Sequence, residues 1–212
     1  MKTTSPRAEA LTEFALRALA LIVYGSFVAI IARYWWANPQ RYTLLMLLVS
    51  EGLTVALLLF ARRAVLRDAS PLAIAATALS LSFFLFFEYA GTQRLIPEWA
   101  GATLQTCGIA WQLLAKMTLG RSFGVLPAAR GLVTRGPYRV VRHPIYLGYL
   151  IGHVGFLLSN FALQNVLVLV LLYAAQTVRM VREEAVLQRG EQGPDYTAYC
   201  STVRWRIVPF LF

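Results

Sequence analysis

The sequence predicts an all-α protein, a polytopic helical bundle integral to a membrane. Three observations carry this prediction. The 212-residue chain is 58% hydrophobic and only 14% charged, against about 25% charged in soluble globular chains, and its mean hydropathy is +0.58. The apolar residues gather into six stretches, most of them near the roughly 20 residues that cross a bilayer. The basic residues are unevenly shared between the connecting segments. With the N-terminus placed in the cytoplasm, 16 of the 20 Lys and Arg fall on the cytoplasmic side, and only Arg33, Arg41 and Arg94 on the other. That is the asymmetry expected of six crossings with both termini inside.

The first stretch, 14–36, closes on Tyr34, Trp35 and Trp36, aromatic residues that favour the membrane interface. The second is 42–61. The third, 71–90, opens with Pro71 at a first helical turn, where proline is pre-organised. The fourth, 99–118, starts at Trp99. The fifth, 144–159, is short, and only a turn around Ser159 and Asn160 separates it from the sixth, 162–181. These two are expected to form a helical hairpin, followed by a C-terminal cytoplasmic helix. One integral membrane domain spans 1–212, with an N-terminal bundle over 14–118 and a loop, hairpin and C-terminal helix over 119–212. No cleavable signal peptide is expected, because MKTTSPRAEALTEFALR is mostly polar.

A net charge of +10 in a soluble chain would point to nucleic acid. Here the arginines sit in loops and at segment ends, where they set topology and meet anionic lipid, and no nucleic-acid-binding motif accompanies them. Membrane lipids are the expected surroundings and the oligomeric state is left open. Cys107 and Cys200 lie far apart in sequence, and His143 and His153 are ten residues apart, roughly 15 Å on a helix. No metal site is expected from them.

Ionisable residues inside spans mark function or a buried hydrogen bond. Glu51 lies midway along the second stretch. Gln105, Gly108, Gln112 and Lys116 recur at spacings of three and four in the fourth, which places them on one helical face that must look into protein or a cavity. His153 is expected to be a hydrogen-bonded packing residue.

The densest cluster is 136–149, GPYRVVRHPIYLGY, with two arginines, a histidine and three tyrosines at the mouth of the fifth stretch. It ends a loop, 119–142, that carries five arginines and no acidic residue. The sixth stretch runs on into QTVRMVREEAVLQRG. The adjacent Glu183 and Glu184 point about 100° apart on a helix and can serve different partners. Because the hairpin returns the chain, both motifs reach the cytoplasmic interface together.

GPYRVVRHPIYLG, then EE with Leu187 three residues on, then Tyr196 and Tyr199, resembles the isoprenylcysteine carboxyl methyltransferase and phospholipid methyltransferase superfamily, most closely its bacterial members. The resemblance covers roughly residues 117–210 and implies an integral protein of the bacterial inner membrane. It implies an S-adenosylmethionine-dependent methyltransferase, with S-adenosylhomocysteine as product and a lipophilic or small-molecule acceptor. Tyr138, Arg142, His143, Tyr146 and Gly148 would line the cofactor cleft, Glu183 and Glu184 would bind the cofactor's ribose or ammonium group, and Tyr196 and Tyr199 would close over it. A late arginine near the transferred methyl is either Arg204 or Arg206.

The residue types agree with the donor's chemistry. Carboxylates suit its hydroxyls and ammonium, Arg139 and Arg142 its carboxylate, and tyrosines its adenine. No G-x-G-x-x-G fingerprint is present, so the site would not be of the soluble dinucleotide type. A carboxylate acceptor needs no base. An amine or thiol does, and Glu51 or one of the paired glutamates is the candidate. Two other readings fit parts of the pattern, an NAD(P)H-dependent membrane reductase related to sterol reductases and a non-catalytic small membrane protein. Transport would predict inverted repeats and broken helices, which the sequence does not display.

Overall fold

The computed structural model describes residues 6–59, 66–67, 70–120, 128–129, 132–190 and 192–211. Their helices are α1 (Pro6–Ala37), α2 (Tyr42–Leu59), α3 (Pro71–Ser82), α4 (Glu98–Leu119), α5 (Pro144–Ser159), α6 (Leu163–Arg189) and α7 (Gly193–Thr202). A two-residue antiparallel contact, β1 (Leu66–Arg67) with β2 (Ala128–Ala129), ties the segment after α2 to the loop after α4. The architecture is helical, as expected. Among the described residues one helix, α6, is long and apolar enough to cross a membrane; shorter apolar stretches cover Ile22–Ala37, Tyr42–Leu53, Pro71–Phe86 and Pro144–Ser159. Lys2, Arg62, Arg63, Arg121 and Arg130, which enter the charge asymmetry, lie outside the described residues.

Local chemistry sets the boundaries. Pro71 and Pro144 occupy first-turn positions of α3 and α5, where the missing N–H costs nothing. The Ser70 hydroxyl caps α3 by accepting from the Ala73 N–H. The third stretch, 71–90, is not one helix. It tightens into a 3-10 turn over Phe83–Phe86, and Phe87 is extended. Two side chains at the start of α6 take up the backbone groups released there. Gln164 donates to the Phe86 carbonyl at 2.7 Å, and the Asn165 side-chain oxygen accepts from the Glu88 N–H at 2.7 Å. The sixth stretch, by contrast, continues as helix to Arg189, so Glu183 and Glu184 ride on the same rigid rod as the apolar span.

The main core is aromatic. Phe27, Phe84 and Phe156 are fully buried; the Phe27 and Phe84 rings are 4.1 Å apart, and Phe87 stacks on Phe156 at 4.8 Å. Helices α4 and α5 meet along a seam of glycines. A Cβ on Gly108 would fall 2.5 Å from the Gly148 carbonyl oxygen and 2.8 Å from the Gly152 nitrogen, and one on Gly101 would fall 2.8 Å from the Gly155 oxygen. These neighbours are backbone and cannot swing aside, so the helices approach this closely only because both carry glycine. Gly108→Val is expected to force the pair apart and lower the unfolding temperature of the purified protein. The polar face of α4 behaves as its spacing requires, with Gln105, Gly108, Gln112 and Lys116 all buried.

At the end of the bundle away from GPYRVVRHP, a polar clasp joins α2, α4 and the α5–α6 turn. Arg41 donates to the Tyr89 carbonyl and to the Asn160 side-chain oxygen, both at 2.6 Å. Asn160 donates to the Thr43 hydroxyl at 3.0 Å, and Thr43 donates through its N–H and its hydroxyl to Glu98. Asn160 is almost wholly buried. Asn160→Ala takes away the acceptor of a guanidinium hydrogen bond inside the fold, a loss of about 2–3 kcal/mol. The expected readout is a lower unfolding temperature with the opposite end of the bundle unchanged.

Candidate functional site

The long loop returns to the bundle at Gly136, whose φ of +59° lies in the region that favours glycine. Pro137 then helps set a 3-10 turn over Gly136–Arg139, which buries Tyr138. Beyond it the chain runs beside the C-terminal segment. The Arg142 N–H donates to the Trp205 carbonyl at 2.9 Å and the His143 N–H to the Arg206 carbonyl at 2.8 Å. Pro144 starts α5, which leaves His143 at the helix N-cap. Two segments about sixty residues apart in sequence are thereby held side by side, and α6 presents Glu184 to both.

Glu184 is the hub. One oxygen, Oε1, lies 3.1 Å from His143 Nε2 and 3.1 Å from an Arg142 guanidinium nitrogen. Arg206 donates through Nε to both carboxylate oxygens at 3.2 Å and through Nη2 to Oε2 at 3.1 Å. The carboxyl group is buried, with 7% of its side chain exposed. A carboxylate has about four acceptor positions, and these contacts occupy them.

Burial works against the Arg142 charge, but Glu184, and then the Cys200 thiol, hold that guanidinium above its usual range. Arg142 also donates to Cys200 Sγ at 3.4 Å and to the Arg204 carbonyl at 3.0 Å. Helix α7 closes the side of the cluster. Its Tyr199 hydroxyl donates to the Tyr138 carbonyl at 2.7 Å, and the Tyr196 ring packs 6.0 Å from that of Tyr199. Burial pushes the Tyr138, Tyr196 and Tyr199 phenols up, so all three remain protonated donors at neutral pH. On the α5 side, the Tyr146 ring sits 5.7 Å from the His143 ring, with the Arg179 guanidinium 5.8 Å from its centre. Met180 and Ile207 complete an apolar wall with Tyr146.

Most of the residues singled out in the sequence therefore meet. Tyr138, Arg142, His143, Tyr146, Glu184, Tyr196, Tyr199 and Arg206 form one assembly. Glu183 stands beside it, half-buried, with no hydrogen bond or ion pair among the described residues. It is near enough to Tyr138 to add, after burial, to the upward push on that phenol. Three positions lie elsewhere. The Arg204 side chain is exposed, and only its carbonyl joins the cluster. Gly148 faces α4, where a Cβ would fall 2.5 Å from the Gln112 side chain; its place in the fold is that of a packing glycine. Glu51 lies inside the bundle on α2, accepting from the Tyr24 hydroxyl at 3.4 Å. Sequence reasoning missed Cys200 and the backbone pairing of 142–143 with 205–206. No periodicity or motif in 203–206 announces that pairing.

The phospholipid methyltransferase family model matches residues 98–190. Over this stretch the chain is similar to the isoprenylcysteine carboxyl methyltransferase and phospholipid methyltransferase superfamily. The match runs from α4 through α6 and takes in Tyr138, Arg142, His143, Tyr146, Glu183 and Glu184. The part of the assembly carried by the turn before α5, by α5 and by α6 therefore lies within the match. Tyr196, Tyr199, Arg204 and Arg206 lie beyond the matched residues. No curated protein matches the chain.

Proposed function

We propose that the protein is an S-adenosylmethionine-dependent methyltransferase that moves a methyl group to a lipophilic or small acceptor at the cytoplasmic face of the membrane. The observation that carries this reading is the Glu184 hub. It draws Arg142, His143 and Arg206 from two distant segments onto one carboxylate, within a domain that matches the family.

The residues present fit the methyl donor. The carboxylate of Glu183, without an ion pair among the described residues, suits an ammonium or ribose hydroxyls, and the Arg142 guanidinium suits a carboxylate. The rings of Tyr138 and Tyr146 offer faces for a purine. Glu184 is saturated by its partners and acts as a positioning residue, fixing the rotamers of the two arginines and the histidine. The sulfonium of the donor supplies an electrophilic methyl carbon. The chain's own part is to orient donor and acceptor in line and to exclude water. Of the two late arginines, Arg206 is the one held at the cluster, and it would orient the acceptor. A carboxylate acceptor needs nothing more. An amine or thiol also needs a proton acceptor, and Glu183 is the nearest free carboxylate, with Glu51 deeper in the bundle. The charge asymmetry supports six crossings with both termini in the cytoplasm, and in that topology the hub would lie at the cytoplasmic interface.

The test is transfer of label from methyl-labelled S-adenosylmethionine to total membrane lipid, to small thiols and to small amines. Label is expected in one of these fractions and is expected to disappear in His143→Ala. Folded protein that transfers label to none of them would overturn the reading.

A further inference from the structure

The segment that follows α7 packs inward at one point and faces outward just after it. Ile207 is buried and Val208 half-buried, and both belong to the apolar cluster made with Tyr146, Leu147 and Leu150 of α5 and Met180 of α6. The chain then turns, with the Leu211 N–H donating to the Val208 carbonyl at 3.1 Å, and two large apolar side chains point away from the protein. Phe210 is 86% exposed and Leu211 80%, and neither belongs to a helix. Phe210 also has a φ of +67°, an outlier for a bulky side chain. Backbone strain of this kind persists only where the surroundings over-determine it. Within the chain the Phe210 ring meets that of Trp205, 5.4 Å away, which leaves most of its surface uncovered. Such a ring gains free energy when an apolar phase covers it.

Charge selects what covers this face. Neither 132–143 nor 203–212 contains an acidic residue. Arg139 and Val140 on the first segment and Arg204 on the second are exposed, and the Arg142–Trp205 and His143–Arg206 backbone hydrogen bonds hold the two segments side by side. A second copy docking face to face would bring the same cations against each other. An anionic bilayer offers both complements, phosphate for the arginines and acyl chain for Phe210 and Leu211. Trp205, half-buried between Arg204 and Arg206 in the chain, is of the residue type that favours the membrane–water boundary. The face is also continuous with α6, the helix long and apolar enough to cross a membrane, through the cluster at Met180.

We propose that residues 204–211 form a membrane-inserting lip that binds the surface of an anionic bilayer, with Phe210 and Leu211 among the acyl chains and Arg139 and Arg204 at the phosphates. The lip and the hub share one piece of backbone. Arg206 grips Glu184 with its side chain and accepts from the His143 N–H with its carbonyl, and the same segment carries Phe210. Insertion therefore holds Arg206 in register with His143, and the hub is tightest when the lip is in lipid. Resting on the methyltransferase reading above, donor affinity would then depend on the bilayer.

The test uses full-length protein, one copy per nanodisc, in phosphatidylcholine with and without phosphatidylglycerol. The Trp205 fluorescence is the difference between wild type and Trp205→Phe. Phosphatidylcholine brominated near the glycerol end of its chains is expected to quench that signal, more strongly when phosphatidylglycerol is present. Phe210→Asp combined with Leu211→Asp is expected to lose most of the quenching. Both side chains are exposed and aspartate tolerates a positive φ, so the fold does not depend on them. Arg139→Gln combined with Arg204→Gln should keep the quenching but lose its dependence on phosphatidylglycerol. Hydrogen exchange of the Arg142 and His143 amides reads the link to the hub. It should speed up about tenfold in the double aspartate variant, the factor expected from withdrawing one large apolar side chain from lipid. Wild-type Trp205 untouched by brominated lipid, or quenching unchanged in the double aspartate variant, would overturn the proposal. Shielding of Trp205 that appears only in discs holding two copies would give the face to a second copy and overturn it too. Unchanged exchange where quenching is lost would overturn the link to the hub. Neither readout involves the methyl donor, so a lip that inserts in a protein that ignores S-adenosylmethionine would sink the methyltransferase reading and leave the lip standing.

Discussion

Glu184→Ala is expected to abolish S-adenosylmethionine binding while the protein still inserts and folds. The carboxylate holds Arg142, His143 and Arg206 together. Without it, the two guanidiniums lose the carboxylate they share, and the segments at 142–143 and 205–206 lose the side-chain contact that draws them to α6. Removing one member of a buried ion cluster costs about 3–5 kcal/mol, and each 1.4 kcal/mol passed on to binding weakens it about tenfold. An affinity loss of at least about 100-fold follows, measured by equilibrium binding of labelled donor. The remainder of the bundle has an independent aromatic core, so expression and helicity are expected to persist. Glu184→Gln keeps the shape but loses the charge and should fall between wild type and alanine. Glu183→Gln should weaken donor binding without disturbing the arginines, since Glu183 has no ion pair among the described residues.

Arg206→Lys is expected to cut methyl transfer by about 100-fold or more, with donor affinity reduced far less. The Arg206 guanidinium meets both oxygens of Glu184 through two of its nitrogens. A lysine is a single flexible point charge and cannot hold that planar fork. The side chain at this position would keep its charge but lose its fixed direction, and a misplacement of about 1 Å at a reacting group costs on the order of 100-fold. Arg204→Lys is the control. Its side chain is exposed and only its backbone takes part, so near-normal transfer is expected. Near-normal transfer in both variants would mean that charge alone, and not the geometry at Glu184, matters near the acceptor.

Much of this was legible in the sequence because it depends on local rules. Pro144 fixes the start of α5, and the turn at Ser159 and Asn160 sends α6 back along it, so EE had to return toward RHP. The polar face of α4 follows from spacing alone. The break in the third stretch was not legible, because it depends on Gln164 and Asn165, two residues from a distant helix that satisfy the backbone there. The choice between Arg204 and Arg206 was likewise hidden. It turns on which side of the segment after α7 faces α6, and the backbone pairing of that segment with 142–143 leaves no pattern in the residues. Gly148 stood inside the motif, yet its space is filled by Gln112 across the helix seam, which only the three-dimensional contact reveals.

The most direct test of the account is equilibrium binding of labelled S-adenosylmethionine to the purified protein in nanodiscs, with NADPH in parallel. The account predicts saturable binding of the methyl donor, lost in Glu184→Ala and in His143→Ala, and no binding of NADPH. Folded protein that ignores S-adenosylmethionine, or that binds NADPH in its place, would contradict it.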